Sequence, residues 1–466
     1  MWWVQQVVAW LALGAALTAA LNFLLMSRAP SPAPRPSRQP SLPLPASEYA
    51  ESHNHVYLKG EVYVLRDSEY HRWNQRNRTG LSGAVQSLYS HLAGVKAQFR
   101  TSSPHVTRLV HTLKQDLTSR GVTRDPWNLA KKWATPRSLV PDVARGLGDV
   151  LEALASAPIT STHIGYKGTQ LKLSVMLKGG QRAVFRPKRY SRAELIEGEV
   201  YAGADRHNGE VAAFHLSRLL ALPMVPIAVG RRVSPRKHLL SVASKELAAT
   251  FFKRRGGEVC FYGVCYYCHK NSSVCDSGGT LEGSVTLWLP PHLPLMHLPH
   301  PWARTYTRTK LAPWEEQPNY CGEVRRHVPY SINNSPRLLD LMDAAVFDFL
   351  IQNGDRHHYT VVAGRPESAI VLLDNGKSFG DAETDHLDIL APILQCCWLR
   401  QTTYERLVLL TGGGLSRAMQ QLLNSDPLTP VLNHPHLLAL DRRLQHILAA
   451  LASCRDQMGG WHHVLY

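Results

Sequence analysis

Two stretches decide how this chain is read: Asn353–Tyr359, NGDRHHY, and Leu372–Gly380, LLDNGKSFG. Ahead of the first runs Arg337–Ile351 (RLLDLMDAAVFDFLI), strongly apolar at helical spacing, so a buried helix delivers Asp355 to a loop. About twenty residues later the short apolar run Ala369–Leu373 is of strand type and delivers Asp374 to a second loop. Taken singly, each aspartate is a helix cap or a turn residue. Taken in order, the pair meets a chemical need. Phosphoryl transfer requires one carboxylate near the acceptor hydroxyl and another holding the cation on the phosphates.

Upstream, Gly168–Phe185 (GTQLKLSVMLKGGQRAVF) alternates apolar and polar residues around a Gly-Gly turn, the signal of a hairpin. Its strands carry GTQLK (Gly168–Lys172) and FRPKR (Phe185–Arg189), which put polar and cationic groups where they can face phosphates. RHNGEVAAFHLSRLLAL follows from Arg206, with Val211, Phe214, Leu216, Leu219 and Leu220 roughly on one helical face. Asp205 and Glu210 fall at the mouth and first turn of that helix. Such a Glu can hold a strand cation, and Asp205 can add a carboxylate to a metal. The plainer alternative is solvated charge on a hairpin. Two lookalikes fail: Gly376-Lys377-Ser378 lacks the earlier P-loop glycine, which is Val371, and Gly80–Ala84 misses a nucleophile elbow at its last residue. His292, His297 and His300 read as part of a Pro-rich surface loop.

The whole chain has 466 residues, 44% hydrophobic and 19% charged, which excludes a disordered chain. The formal charge of +16 suits acidic or phosphorylated partners. Arg231–Lys237, Lys253–Arg255 and Arg325-Arg326 are candidate patches for anionic chains. Trp2–Ser27 holds no charged side chain, and its twenty-six residues give ~39 Å of helix, enough for a bilayer core of about 30 Å. Residues 1–27 are therefore expected to be a transmembrane signal anchor rather than a cleaved signal peptide. Residues 28–47, with seven Pro between Ala29 and Pro45, form a stiff stem. Residues 48–158 read as a helical front segment. A lobe rich in strands (159–290, with a cysteine-rich insert) then precedes a mainly helical one (291–466). The fold class is α+β, an atypical two-lobed protein-kinase-like fold.

Arg28, directly after the span, votes for a cytoplasmic C-terminal side. The cysteines oppose it. All eight lie between Cys260 and Cys454: Cys260, Cys265, Cys268, Cys275, Cys321, Cys396, Cys397 and Cys454. Cys265 and Cys268 have metal-ligand spacing, but no second CxxC completes a zinc ribbon. Four disulfides in an oxidising compartment are the better reading. Sequons at Asn77, Asn271 and Asn333 suit a glycosylated lumenal chain, in which nucleic acid is a poor partner.

At DRHHY, LLDNGKSFG, DRHNGEVAAFHL, CFYGVCYYC and EGSVTLWLP, from about Ile164 to Cys454, the chain resembles the secretory-pathway kinases of the Golgi casein kinase and glycosaminoglycan xylosylkinase family. CYYC, VTLWLP, Glu197–Gly203 and the FRPKRYSR strand resemble its sugar-phosphorylating branch rather than the casein-type enzymes. The resemblance implies Asp355 as catalytic base, Asp374 and Asp205 as metal ligands, and Glu210 as organiser of the strand cations. Gln170, Arg186, Lys188 and Asp374 would contact the nucleotide, with Thr286, Leu287, Trp288 and Leu289 beside adenine. It also implies disulfides Cys260–Cys275, Cys265–Cys268, Cys321–Cys396 and Cys397–Cys454. The cofactors implied are ATP and Mn²⁺ or Mg²⁺. The substrate would be xylose in the proteoglycan linkage region, phosphorylated at its 2-hydroxyl, in the Golgi lumen by a single-pass type II membrane protein.

Two positions depart from the family pattern. Arg186 stands where a Lys is usual, and a planar fork on a longer stem is not equivalent to an ammonium. Lys188, two residues on along an extended strand, could substitute. Thr360 stands where a Glu commonly follows DRHHY. Both motivate a rival reading, a pseudokinase that activates a related kinase. A protein serine kinase of the same fold is a third. A homodimer, or a heteromer with a related kinase, also stays open.

Overall fold

The structure, a computed structural model, describes residues 56–58, 61–63, 79–165, 168–307, 309–331 and 336–466. The expected anchor and stem, with Asn77 and Asn333, lie outside these residues. Among the described residues no helix is long and apolar enough to cross a membrane. Val56–Leu58 and Glu61–Tyr63 pair antiparallel within a unit of their own, residues 1–67. The second unit, residues 68–466, holds the rest.

Its centre is a five-stranded antiparallel sheet in the order Ile159–Ile164, Leu173–Leu177, Gln181–Pro187, Leu281–Leu287, Ala228–Val233. The Gly-Gly turn closes the first tight hairpin, with both Gly179 and Gly180 at positive φ. Strand Gln181–Pro187 lies in the middle of the sheet, and its Arg186 pairs with Ser284. Helix His207–Leu220 is buried on every side rather than on the single face its spacing suggests. It lies between the sheet and the C-terminal helices, so solvent reaches neither flank.

The helical lobe is built on Arg337–Ile351, fourteen of whose fifteen residues are buried, and on the long helix His434–Met458, capped by Asn433. Helix Thr79–Gln98 packs along this last helix, burying Leu81, Leu88 and Val95, with Ser453 Oγ donating to Ser87 Oγ at 2.7 Å. Helix Leu147–Ser156 packs instead on the sheet strand Ala228–Val233. The N-terminal helices thus serve both lobes rather than forming one layer in front.

Two local expectations change. Ala369–Leu373 bridges only at Val371, to Thr360, because the chain turns sharply into Asp374. Of the histidines expected in one loop, His297 lies on a strand, Leu295–Pro299, paired with His358–Val362 directly after the Asp355 loop, while His292 and His300 flank that strand. In the insert, Phe251–Lys253, Val259–Phe261 and Val274-Cys275 form a small sheet in which Cys260 faces Cys275. Bonds join Cys260 to Cys275, Cys265 to Cys268, Cys321 to Cys396 and Cys397 to Cys454. Asn271 is exposed on this insert.

Candidate active site

Helix Arg337–Ile351 ends at Gln352 in the left-handed region (φ 61°), which swings the chain into the Asp355 loop. Asn353 Oδ1 accepts from the Asp355 backbone N–H at 3.2 Å. Gly354 is required by its surroundings, since a Cβ there would lie 2.1 Å from Val200 Cγ1. Tyr306 Oη donates to Asp355 Oδ1 at 2.6 Å. Burial raises the Asp355 carboxyl above its ordinary value, against the lowering effects of Tyr306, Lys377 and His357.

Asp374 is itself left-handed (φ 55°) and opens the short turn Asn375–Lys377. Gly376 lets that turn reach Asp205, because a Cβ there would lie 2.7 Å from the Asp205 Cβ. Arg356, inside the DRHHY motif, ties the two loops together. Its guanidinium grips Asp348 of the helix at 2.5 and 2.8 Å, the Leu373 carbonyl at 2.8 Å and Asn375 Oδ1 at 3.0 Å. Asp355 and Asp374 therefore stand on adjoining loops.

The buried guanidinium of Arg186 meets three carboxylates: Asp205 Oδ2 at 2.7 Å, Glu210 Oε1 at 3.0 Å and Asp374 Oδ1 at 2.5 Å. One positive charge among three negative ones leaves room for a divalent cation. The carboxylates are not equivalent. Glu210 is buried and also accepts from the Asn375 backbone N–H at 3.0 Å and from Asn375 Nδ2 at 3.3 Å. Asp374 is 70% solvent-exposed despite the protein atoms crowding its base. That crowding pushes its carboxyl up, but Arg186, Lys172 and Arg356 prevail and hold it at about 2. Burial raises Glu210, although Arg186 opposes the shift. Asp374 and Asp205 thus retain oxygens for an ion while Glu210 fixes the guanidinium. Hard carboxylate oxygens suit Mg²⁺ or Mn²⁺.

Other expected residues separate. Lys188 Nζ lies 3.5 Å from Glu282, which Arg192 and Arg232 also approach at 3.1 and 3.3 Å, so Arg186 rather than Lys188 joins the carboxylates. Gln170 belongs to a loop held by the disulfide turn: Tyr266 and Tyr267 donate backbone N–H groups to the Gly168 and Thr169 carbonyls at 3.3 and 3.2 Å. Thr286 and Leu287 end the sheet strand; Trp288 then bonds its N–H to the Arg182 carbonyl at 3.1 Å, and Leu289 continues the segment. Thr360 is buried and shares a hydrogen bond with His297 Nδ1 at 2.9 Å. Of the basic patches, Arg231 is structural, buried and donating to the Leu154 and Ala157 carbonyls.

Sequence motifs did not reveal Tyr306, Arg304 or Lys377. Lys377, dismissed with the false P-loop, donates to the Gly203 carbonyl and lies in the fields of Asp205 and Asp355. Its motif held the only available hint.

The sequence pattern of the family described as Golgi casein kinase, C-terminal, Fam20 matches residues 125–462. This chain belongs to the Fam20 family. Human glycosaminoglycan xylosylkinase is 48% identical to this Fam20 chain over 337 residues, 72% of the chain and 82% of the relative. The structure of hydra Fam20 with sugar superimposes with a TM-score of 0.71 at 44% identity, covering 73% of this chain and 98% of that one. The Golgi casein kinase with Mn/ADP bound gives 0.70 at 31% identity, covering 78% and 93%. The two-lobed kinase-like fold of this Fam20 chain is that of these structures.

Proposed function

We propose that this chain is an ATP-dependent glycosaminoglycan xylosylkinase, which phosphorylates the 2-hydroxyl of xylose in the glycan–protein linkage region of proteoglycans. One observation carries the reading: Asp205 and Asp374 meet around a single cationic centre while Asp355 stands on the adjoining loop. The 48% identity to a xylosylkinase and the likeness to a sugar-bound Fam20 structure support sugar as acceptor. The Mn/ADP-bound relative supports ATP and Mn²⁺ as cofactors.

When bound, the divalent ion neutralises charge on the β- and γ-phosphates. Asp374 and Asp205 hold it, and Arg186, anchored by Glu210, adds a fixed positive charge beside the phosphates. Gln170 contacts the nucleotide, with Thr286–Leu289 beside adenine. Lys188, held at Glu282, stands back from this centre. Asp355 orients the sugar hydroxyl and accepts its proton as the oxygen bonds to the γ-phosphorus. The bond from that phosphorus to the bridging oxygen breaks, and its electron pair leaves with ADP.

Residues 1–27 would anchor the chain as a type II Golgi membrane protein with stem 28–47, helical segment 48–158 and kinase-like domain 159–466 in the lumen. Asn77, Asn271 and Asn333 would carry glycans. Radiolabelled phosphate transfer from ATP to a galactosyl-xyloside, with and without Mn²⁺, tests the reading. Asp355→Ala should abolish turnover while leaving nucleotide binding and melting temperature near wild type; turnover that survives removes Asp355 as base. The Arg186 clamp favours one rival, a pseudokinase activating a related kinase. That reading requires nucleotide binding without transfer and a rise in the partner's rate. A peptide competing successfully with the xyloside would indicate a protein kinase.

A further inference from the structure

Building on that phosphoryl-transfer reading, we propose that Tyr306 is a positioning residue for Asp355. Its hydroxyl engages one carboxylate oxygen so that the other faces the acceptor hydroxyl.

Four observations converge on it. The hydroxyl lies 2.6 Å from Asp355 Oδ1, 3.3 Å from the Asp355 carbonyl and 3.0 Å from His357 Nδ1. Its single proton goes to the carboxylate, the strongest acceptor of the three. Second, Tyr306 is held at φ 57°, which a bulky side chain adopts only where its surroundings enforce it. Third, the enforcing contacts are present. The ring meets Tyr201 edge-on at 4.7 Å and His357 at 5.6 Å. Two residues earlier, Arg304 donates to the Gly354 carbonyl at 3.0 Å and pairs with Asp388, so the segment grips the catalytic loop at two adjacent residues. Fourth, although 39% of the residue is exposed, the protein atoms around its hydroxyl and the neighbouring Asp355 raise the phenol well above its ordinary value, so Tyr306 stays a proton donor and does not act as a base.

A carboxylate with one oxygen engaged cannot spin freely, and a base held in one rotamer presents a fixed lone pair to the sugar. The hydrogen bond also stabilises the ionised form of Asp355. Lys377, and His357 when protonated, likewise favour ionisation of that carboxylate, and Asp205 opposes it.

The test is Tyr306→Phe in the full chain, which removes one oxygen and keeps the packed ring. We expect kcat to fall roughly tenfold, with KM for ATP and acceptor unchanged. The acidic limb of the kcat profile should move to higher pH, because Asp355 loses a donor that favours its ionised form. Affinity for Mn·ADP and the melting temperature should match wild type. Tyr306→Leu, which also deletes the ring, should lower the melting temperature as well. A wild-type kcat and pH limb in Tyr306→Phe overturn the proposal, as does a rise in KM with kcat unchanged. If wild type uses a peptide instead of the xyloside, the sugar reading fails and the same comparison with that peptide still decides the role of Tyr306. Transfer to neither acceptor overturns both readings.

Discussion

At Arg186 a single side chain determines how three others behave. Its guanidinium holds Asp374 ionised at about 2 and offsets part of the desolvation of Glu210. Removing it leaves the buried Glu210 and the partly enclosed Asp205 without their cation, a change that costs about 3 kcal/mol. Asp374, being solvated, contributes little to that loss. Arg186→Gln should therefore melt lower in chelator, recover with added Mn²⁺, and bind Mn²⁺ more tightly by electron paramagnetic resonance, because two carboxylate oxygens are released. Its KM for ATP should rise, since the fixed charge beside the phosphates is gone. Equal Mn²⁺ affinity in both proteins would rule out competition between guanidinium and metal. Four of the carboxylates in and around this centre were legible in sequence because each sits in a motif with a chemical purpose. Tyr306 was not. Its partner lies forty-nine residues away, reached through a loop whose positive φ leaves no periodic trace.

Among the elements, the insert holds the loop that carries Gln170, the residue proposed to contact the nucleotide. The Cys265–Cys268 turn pins the Gly168–Gln170 loop through two backbone hydrogen bonds, each contributing about 1 kcal/mol. Replacing both cysteines by serine should weaken nucleotide binding by roughly threefold to tenfold and leave kcat at saturating ATP almost unchanged. Isothermal titration with ADP measures the first effect and steady-state assays the second. A fall in kcat alone would refute this division of labour. Periodicity found the Gly-Gly hairpin and helix Arg337–Ile351, where side-chain pattern and burial agree. It failed at Leu295–Pro299, because prolines and histidines mask a strand whose partner follows the catalytic loop. Within the expected helical front segment, Gly146, at φ 88°, holds one helix start back to Leu147.

Over the whole molecule, buried imidazoles set the response to acid. Burial keeps His207, His215, His436 and His446 neutral, lowering them from 6.5 to about 3 for His207 and about 4 for the others. In the unfolded chain each takes up a proton near 6.5. As pH falls from there towards 4, the unfolded state binds protons that the folded state refuses, so stability declines. Asp374 and Asp385, both at about 2, lose their contributions only below their unfolded value of 3.8. Thermal melts should be lower at pH 5 than at pH 7.5, with unfolding taking up several protons; a flat profile would show that these imidazoles titrate normally when folded.

Helix Thr79–Gln98 lies along the last long helix, with His91 bound to Asp456 at 2.9 Å and Thr79 Oγ1 donating to the Glu316 carbonyl at 3.0 Å. A recombinant fragment cut at the first strand of the sheet would strip Tyr89 from the buried His446 and Ser87 from Ser453, and leave that side of the long helix open to self-association. Expression of a soluble enzyme should start ahead of Thr79.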